Sequence, residues 1–349
     1  MILLFLRAFQ GIAAGGELGA AIVFVYEGVD ETTRGFNLSC LIAGAMIGAG
    51  VSISLTSLLR ASLSMKSMKA WGWRLPYLLT PVVGSLAYLA STWSSLKESE
   101  EFLSAQDGAV SHKPTILRYV KELWKKVKLS FKKYNGENII AICSLATWSP
   151  IVFVVFNWLP VYLRDIVEVS EDECSIDGLN LCMLCAFYIL CPSIGYLVDR
   201  LRSADSMGRE NVYRYMLTMA SGLSVIFAAP AFYLLQSRTC SGAIGGYFLL
   251  VLPLSMYASS MFVFLATQFD VLDRIVCVGI TYNLSHAIWS SSISAVLTAL
   301  AENNLLYPGY YLMSIHLIAL VAITAGYSTV EGSRPVNRSS SMDPGVELS

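Results

Sequence analysis

An all-α integral membrane protein is the fold class this sequence predicts, and three observations carry it. Of 349 residues, 55% are hydrophobic and only 14% charged, whereas a soluble domain carries roughly a quarter charged residues. Apolar runs of about 20 residues recur from end to end, the length that crosses a bilayer core of roughly 30 Å as a helix. The Lys and Arg residues gather in alternate connections between those runs, the pattern of a multi-pass protein. The same facts exclude other classes. Net charge is −1, and the basic residues sit between apolar spans rather than in a domain of their own, so no nucleic-acid partner is expected. The lipid bilayer is the first partner the sequence implies.

About nine spans are expected, near 2–26, 36–59, 73–95, 139–163, 179–199, 213–236, 244–267, 276–300 and 307–327. Pro76, Pro81, Pro150, Pro160, Pro192, Pro230 and Pro253 fall inside them. Membrane helices tolerate such prolines because neighbouring groups satisfy the freed carbonyls. The polar segment at 96–138 divides the chain into a remainder at 1–95 and a six-helix part at 139–327. Within it, Ile116, Val120, Leu123, Val127 and Phe131 recur at helical spacing among Lys121, Lys125, Lys126, Lys128, Lys132 and Lys133. That pattern fits either a helix lying in the membrane interface, held partly by anionic lipid, or a solvated linker helix. The tail at 328–349 is polar and Ser-rich, and disorder is expected there.

Orientation follows from the basic residues. Placing the connection after the first span in the cytoplasm puts Arg34, the 96–138 segment, Arg200 to Arg214, Arg274 and the C-terminus inside. Most of the 24 Lys and Arg then lie inside, and the acidic connection at 164–178 lies outside. Cys174 and Cys240 fall in outer connections, where a disulfide could form. The C-x-x-C at Cys182 and Cys185 lies on an apolar run with no second pair, so small-hydrophobe behaviour is expected and no metal. No residue set calls for a cofactor. H-E-x-x-H, facing aspartate pairs and Gly-x-Ser-x-Gly are all missing, which argues against an intramembrane enzyme.

The first span holds the most chemistry. Gly11, Gly15 and Gly19 recur every fourth position, with Gly16 beside them, and leave a bare groove for close helix packing. Arg7, Gln10 and Glu17 share the span. A charge at the bilayer centre costs about 2.5–3.5 kcal/mol or more, so such residues persist where they face a bundle interior or an aqueous cavity. Glu17 is mid-span, and a desolvated carboxyl is a candidate proton carrier. Asn157, Tyr162, Tyr257 and Gln268 are further polar candidates. His286 and His316, also in spans, read first as interhelical hydrogen bonders.

Arg7-x-x-Gln10-Gly11 followed by Gly15-Gly16-Glu17 resembles the fourth transmembrane helix of the major facilitator superfamily, and the Gly-Gly-Glu ending resembles its metabolite:proton symporters. Glu27 and Arg34-Gly35 are similar to that family's acidic-then-Arg-Gly loop. Gly72-Trp73-Arg74-Leu75-Pro76-Tyr77 looks like its entry to helix six, and Glu98-Ser99 with Phe102 like the end of that helix. Leu159-Pro160-x-Tyr162-Leu163 resembles helix seven, and Tyr282-Asn283 resembles helix eleven. Gly195-x-x-x-Asp199-Arg200 resembles the second copy of its loop motif, with the closing Gly-Arg displaced to Gly208-Arg209.

The resemblance implies a major-facilitator-type bundle lacking the first three helices, the chain corresponding to helices four to twelve. It implies secondary active transport in the cell inner membrane: proton-coupled symport of a small zwitterion or organic acid, proline/betaine-like or dicarboxylate-like. Small-molecule substrate and protons are then the partners, with Arg7, Gln10 and Glu17 on their pathway. A separate chain carrying the missing helices is a further implied partner. Asp199 would meet the start of the span near Phe36 and latch one half against the other. The sequence departs from the family in two further places. Phe269-Asp270 precedes Arg274 where relatives read Phe-Pro, and Ser290-Ser291-Ser292-Ile293-Ser294 replaces a Gly-Gly-Thr-x-Pro run. A non-transporting remnant, or one half of a split-gene transporter, is therefore the alternative.

Overall fold

Every expected span is occupied by a helix, and among the described residues there is no strand. The computed structural model describes residues 2–93, 116–170, 172–204 and 211–331. In chain order the helices are α1 (Ile2–Gly28), α2 (Arg34–Ser62), the short α3 (Met65–Ala70), α4 (Leu75–Trp93) and α5 (Ile116–Lys133). There follow α6 (Asn135–Ile166), α7 (Ile176–Ala204), α8 (Asn211–Leu235), α9 (Cys240–Thr267), α10 (Val271–Trp289), α11 (Ile293–Asn303) and α12 (Tyr307–Glu331). Among the described residues, seven helical stretches are long and apolar enough to cross a membrane. α1 and α4, of 27 and 19 residues, occupy the remaining two expected spans.

Buried side chains run along nearly the whole of α9, from Gly242 to Ala266. It packs against α8, α7 and α2, and the core centres on it. Such all-round burial fits a helix with no polar face to turn outwards. α12 closes on α8 and the start of α6. The part before α5 leans on this bundle chiefly through three pairs of helices, α1 with α10, α2 with α7 and α2 with α9. α4 is the exception, exposed at every described position from Tyr77 to Leu89.

α6 is continuous in space but not in hydrogen bonding. Its helix is interrupted at Leu145–Thr147, ahead of Pro150, and widens into π-turns at Val154–Trp158 and Tyr162–Ile166, on either side of Pro160. Proline supplies no N–H and its ring crowds the carbonyl four residues back. The carbonyl left over by Pro160, that of Phe156, accepts from Asn180 Nδ2 of α7 at 3.1 Å. At the earlier break Tyr257 of α9 donates to Ser144 O at 2.6 Å, and Trp289 Nε1 of α10 to Ile142 O at 3.0 Å. Pro160 is thus carried as expected, through a group on a neighbouring helix.

The helices overrun several expected span ends by four or five residues, as α7 does at Ala204 and α9 at Cys240, and one expected span is divided. The helix expected at 276–300 is two helices, with a turn at Ser290–Ser292 between α10 and α11. α12 runs four residues past its expected end, to Glu331; the tail beyond it, like Glu98, Ser99, Phe102, Gly208 and Arg209, lies outside the described residues.

On the face bearing most of the Lys and Arg, termed the inner face, α1 ends and α2 begins beside the end of α7 and the start of α10. On the opposite, outer face a disulfide joins Cys174 to Cys240, with Cα atoms 5.3 Å apart.

Candidate functional site: an inner-face clasp and a mid-membrane break

At the inner end of α7, Asp199 faces the first turn of α2. Gly35 N donates to its Oδ1 at 2.9 Å and Phe36 N to its Oδ2 at 2.8 Å. The first amides of a helix have no acceptor within the helix, so one carboxylate satisfies two of them at the positive end of the helix dipole. Two glycines permit the approach. A Cβ on Gly35 would lie 2.5 Å from Asp199 Oδ1, and one on Gly195 would lie 2.7 Å from Gly35 O. Tyr213 of α8 donates to the same Oδ1 at 2.6 Å. Three helix ends therefore meet on one carboxylate that is only 4% exposed.

Around it the charges interlock across the two parts of the chain. Arg274 Nη1 of α10 donates to Glu27 Oε1 of α1 at 2.6 Å, with side chains 8% and 4% exposed, and its Nε donates to Ala266 O at 3.1 Å. Arg34 Nε donates to Tyr26 O at 3.0 Å, and two guanidiniums approach the Tyr26 ring, Arg34 at 4.1 Å and Arg274 at 4.9 Å. Both separations suit a cation over an aromatic face. Arg202 donates to the Glu31 carbonyl and reaches its carboxylate at 3.4 Å. A small cavity of about 180 Å³ opens among Tyr26, Glu31, Arg34, Arg202 and Tyr213. Arg200, beside Asp199 in sequence, bonds instead to Tyr196 on its own helix.

Deeper in, α1 and α10 cross on glycine. A Cβ on Gly19 would lie 2.8 Å from Gly279 Cα. One turn further, Asn283 Nδ2 donates to Gly15 O at 2.6 Å, across the contact. Of the four glycines expected to pack helices, Gly15 and Gly19 do so; Gly11 and Gly16 have nothing within 4 Å of a modest side chain's first carbon.

Beyond this crossing the two interrupted helices face one another. Ser149 Oγ of α6 and Ser290 Oγ, in the turn after α10, are 2.7 Å apart. Trp148, Phe262, Tyr282 and His286 form a continuous aromatic row beside them, with centroid separations of 6.1, 5.9 and 4.2 Å. His286 Nδ1 lies 3.0 Å from Tyr282 O on its own helix. Unwound backbone in a membrane-spanning bundle is tolerated where it is buried in protein or lines a cavity. The sequence offered a signal for the first break, Ser149-Pro150, and none but a serine run for the second.

Other sequence candidates fall elsewhere. The side chain of Arg7 lies outside the described residues. Gln10 and Glu17 are both exposed, and seven residues apart they share a stripe with exposed Phe24, roughly opposite the Gly15–Gly19 face. The sequence predicts a desolvated Glu17; here the glycine face packs, and the carboxyl points away from the other half. Asn157 is exposed. Tyr257 and Tyr162 are buried with their hydroxyls spent on Ser144 O and Leu305 O, and Gln268 bonds to Phe264 O. Pro160 sits between the π-turns. Trp73 and Arg74 form an exposed stacked pair in the 3₁₀ turn before α4, 4.4 Å from guanidinium to ring. His316, fully enclosed in α12, has no hydrogen-bond partner on either ring nitrogen among the described residues, so it bridges no helices.

Comparison with known proteins agrees with this architecture. A family model described as Major Facilitator Superfamily matches residues 1–294. A "Putative proline/betaine transporter" of Staphylococcus haemolyticus is 28% identical over 345 residues, covering 96% of this chain and 68% of the relative. The "Ectoine/proline transporter ProP" of Corynebacterium glutamicum is 24% identical, covering 96% and 64%, and the "Proline/betaine transporter" of Escherichia coli is 26% identical, covering 92% and 61%. The chain thus spans about two thirds of the length of these curated relatives. A multi-pass helical membrane protein of transporter rather than enzyme type, this chain belongs to the Major Facilitator Superfamily.

Proposed function

We propose that the protein is a secondary active transporter of a small zwitterion of the proline or betaine kind, with a dicarboxylate-like organic acid as the other substrate class. The observation that carries this reading is the inner-face clasp. Asp199 on two α2 amides and the Glu27–Arg274 pair close one end of the interface between the two parts, and both contacts are of a kind that can break and re-form. Alternating access needs such a closure at one end, with the substrate held near the bilayer midplane by interrupted helices. The Ser149–Ser290 region beside Tyr282, Asn283 and His286 is the substrate site on this reading. The names of the relatives support the substrate class.

Protons are the coupling ion in this proposal, with Glu17 as carrier and Arg7 and Gln10 on the same pathway. The inner face is cytoplasmic and the membrane is the inner one. The basic connections support this orientation, as does a disulfide on the opposite face, since disulfides persist in oxidising compartments. The working units are 1–95, the 96–138 linker and the helices of 139–327. A second reading, one half of a two-chain transporter, is favoured by a specific observation: exposed Glu17 and Phe24 on α1, and exposed Leu78, Leu79, Val82, Val83 and Leu86 on α4, have the character of surfaces that further helices cover.

Uptake of labelled proline, betaine, shikimate and 2-oxoglutarate into vesicles, with and without a proton gradient, tests the proposal. Gradient-dependent uptake of proline or betaine is the expected result, lost in Glu17→Gln. Uptake unchanged in Glu17→Gln removes that residue from the proton route. No uptake by inserted protein alone, restored by a chain supplying three further helices, selects the second reading; no uptake in either case leaves a non-transporting remnant.

A further inference from the structure

Between the two parts of the chain, α5 presents a surface that the transport reading does not use. Its 18 residues carry Arg118, Lys121, Lys125, Lys126, Lys128, Lys132 and Lys133 against a single acidic residue, Glu122. Placed at 100° per residue, Ile116, Leu117, Val120, Leu123, Trp124, Val127 and Phe131 fall on one side, and the lysines fall on the other and along its edges. The structure shows how that apolar side is used. Towards the C-terminal end Ser130 and Tyr134 are buried and Val127 and Phe131 half-buried, and Ser130 Oγ lies 2.8 Å from Cys277 Sγ of α10.

The end of the helix is fixed. Lys133 Nζ lies 2.9 Å from Asp270 Oδ2 and 2.8 Å from Asp273 Oδ2, and Tyr134 donates to the same two oxygens at 2.7 and 3.0 Å. Tyr134 also packs edge-on against Phe269, which stands where the family resemblance would place Phe-Pro. Lys133 is therefore committed to the protein. Trp124, however, is 61% exposed, and its neighbours at one turn's reach, Lys121, Lys125 and Lys128, are exposed as well. A large indole left uncovered on the apolar edge, with ammonium groups on either side, has the chemistry of a group that sits at headgroup depth.

We propose that α5 is a docking surface for anionic phospholipid headgroups, in which Trp124 enters the interface and Lys121, Lys125 and Lys128 contact the lipid phosphates. Charge complementarity selects this occupant: three ammonium groups clustered within about two turns gain in proportion to the anionic charge of the surface they meet, and gain nothing from a zwitterionic one. The Lys133 anchor on Asp270 and Asp273 holds the helix at fixed height one turn from Arg274, so the lipid-facing side is presented in a constant orientation. The inference rests on the inner-face assignment but not on transport.

Fluorescence of Trp124 in the full chain reads it directly, taken as the difference between the protein and Trp124→Phe in vesicles containing brominated lipid. Brominated phosphatidylglycerol is expected to quench this component about twofold more than brominated phosphatidylcholine. The ratio is expected to fall to about one in Lys121→Gln/Lys125→Gln/Lys128→Gln and in high salt, which screens surface charge. These positions are exposed, so the variants retain the fold. Equal quenching by both lipids in the unaltered protein overturns the proposal, and so does the absence of quenching by either, which would make α5 a solvated linker. Uptake measurements on the same vesicles are independent, so failure of the lipid inference and failure of the transport reading are told apart.

Discussion

Individual residues decide whether the two parts of the chain can close. At the Gly19–Gly279 crossing even one methyl group must push backbone, since its carbon would sit 2.8 Å from Gly279 Cα. Gly19→Ala is expected to cost about 1–3 kcal/mol, read as lowered thermal stability in detergent. Gly16→Ala meets nothing within 4 Å and should be neutral or slightly stabilising. Equal effects at the two positions would refute the crossing. The Glu27–Arg274 pair is almost wholly enclosed, and removing one partner leaves an uncompensated charge. Glu27→Gln or Arg274→Gln alone should cost about 3–5 kcal/mol, while the double variant should recover a large part. A strictly additive double-mutant cycle would show that the pair is not coupled. Glu27, Asp199 and the glycines of α1 were legible in the sequence, because charges and bare glycines inside apolar spans demand an explanation. The partner of Glu27 was not. It lies 247 positions away, in the first turns of α10 and ahead of the apolar span expected there, and only folding brings it near. Glu17 shows the converse: a mid-span carboxyl signals function, but nothing in the sequence says which face of its helix will pack.

At the scale of elements, nine helices could be read from apolar length alone, whereas their interruptions could be read only in part. Pro150 and Pro160 mark α6 as irregular, yet the break at Ser290–Ser292 has neither proline nor glycine; it follows from packing against Ser149 and from Trp289 bonding across to α6. The Cys174–Cys240 bridge closes a separation of 66 residues and ties the start of α7 to the start of α9. Cys240→Ser is expected to lower the melting temperature, by the equivalent of about 2–4 kcal/mol at most, since α8 already joins these helices closely. After reduction, a membrane-impermeant maleimide added outside intact cells should label Cys240; labelling only after the membrane is breached would reverse the orientation proposed here. The α5 anchor has its own pH signature. The hydrogen bond from Tyr134, and then Lys133, holds the Asp270 carboxyl below the usual carboxylate range, and Asp273, then Tyr134, holds the Lys133 ammonium above the usual lysine range. A lowered carboxylate stabilises above its unfolded value near pH 4 and loses this as pH falls through the lower folded value. A raised lysine stabilises below its unfolded value near pH 10.4 and loses this as pH rises through the higher folded value. Both contributions are complete between about pH 5 and 9. Amide-exchange protection of the α5–α6 junction should be flat there and fall below about pH 4. A fall at neutral pH would contradict the anchor.

For the whole molecule, the helices before α5 meet the later ones along α1–α10, α2–α7 and α2–α9, are closed at the inner face, and leave exposed side chains on α4 and along one side of α1. The charged segment at 96–138 suggests a two-part division, but the contact between the helices on either side of it could not be read, because it rests on glycines, amides and one carboxylate with no common sequence period. If the clasp is the closed end of an alternating transporter, opening it must cost only a few kcal/mol, and removing its charges must shift the balance. The most direct measurement is the distance between spin labels at Thr32, beside the start of α2, and Leu272, at the start of α10, in protein whose other reactive cysteines have been replaced. The predicted result is one short distance in the unaltered chain, and a second, longer population in Asp199→Asn/Glu27→Gln that also grows when the transported substrate is added. A single unchanged distance in the variant would contradict the clasp as the switch between two states.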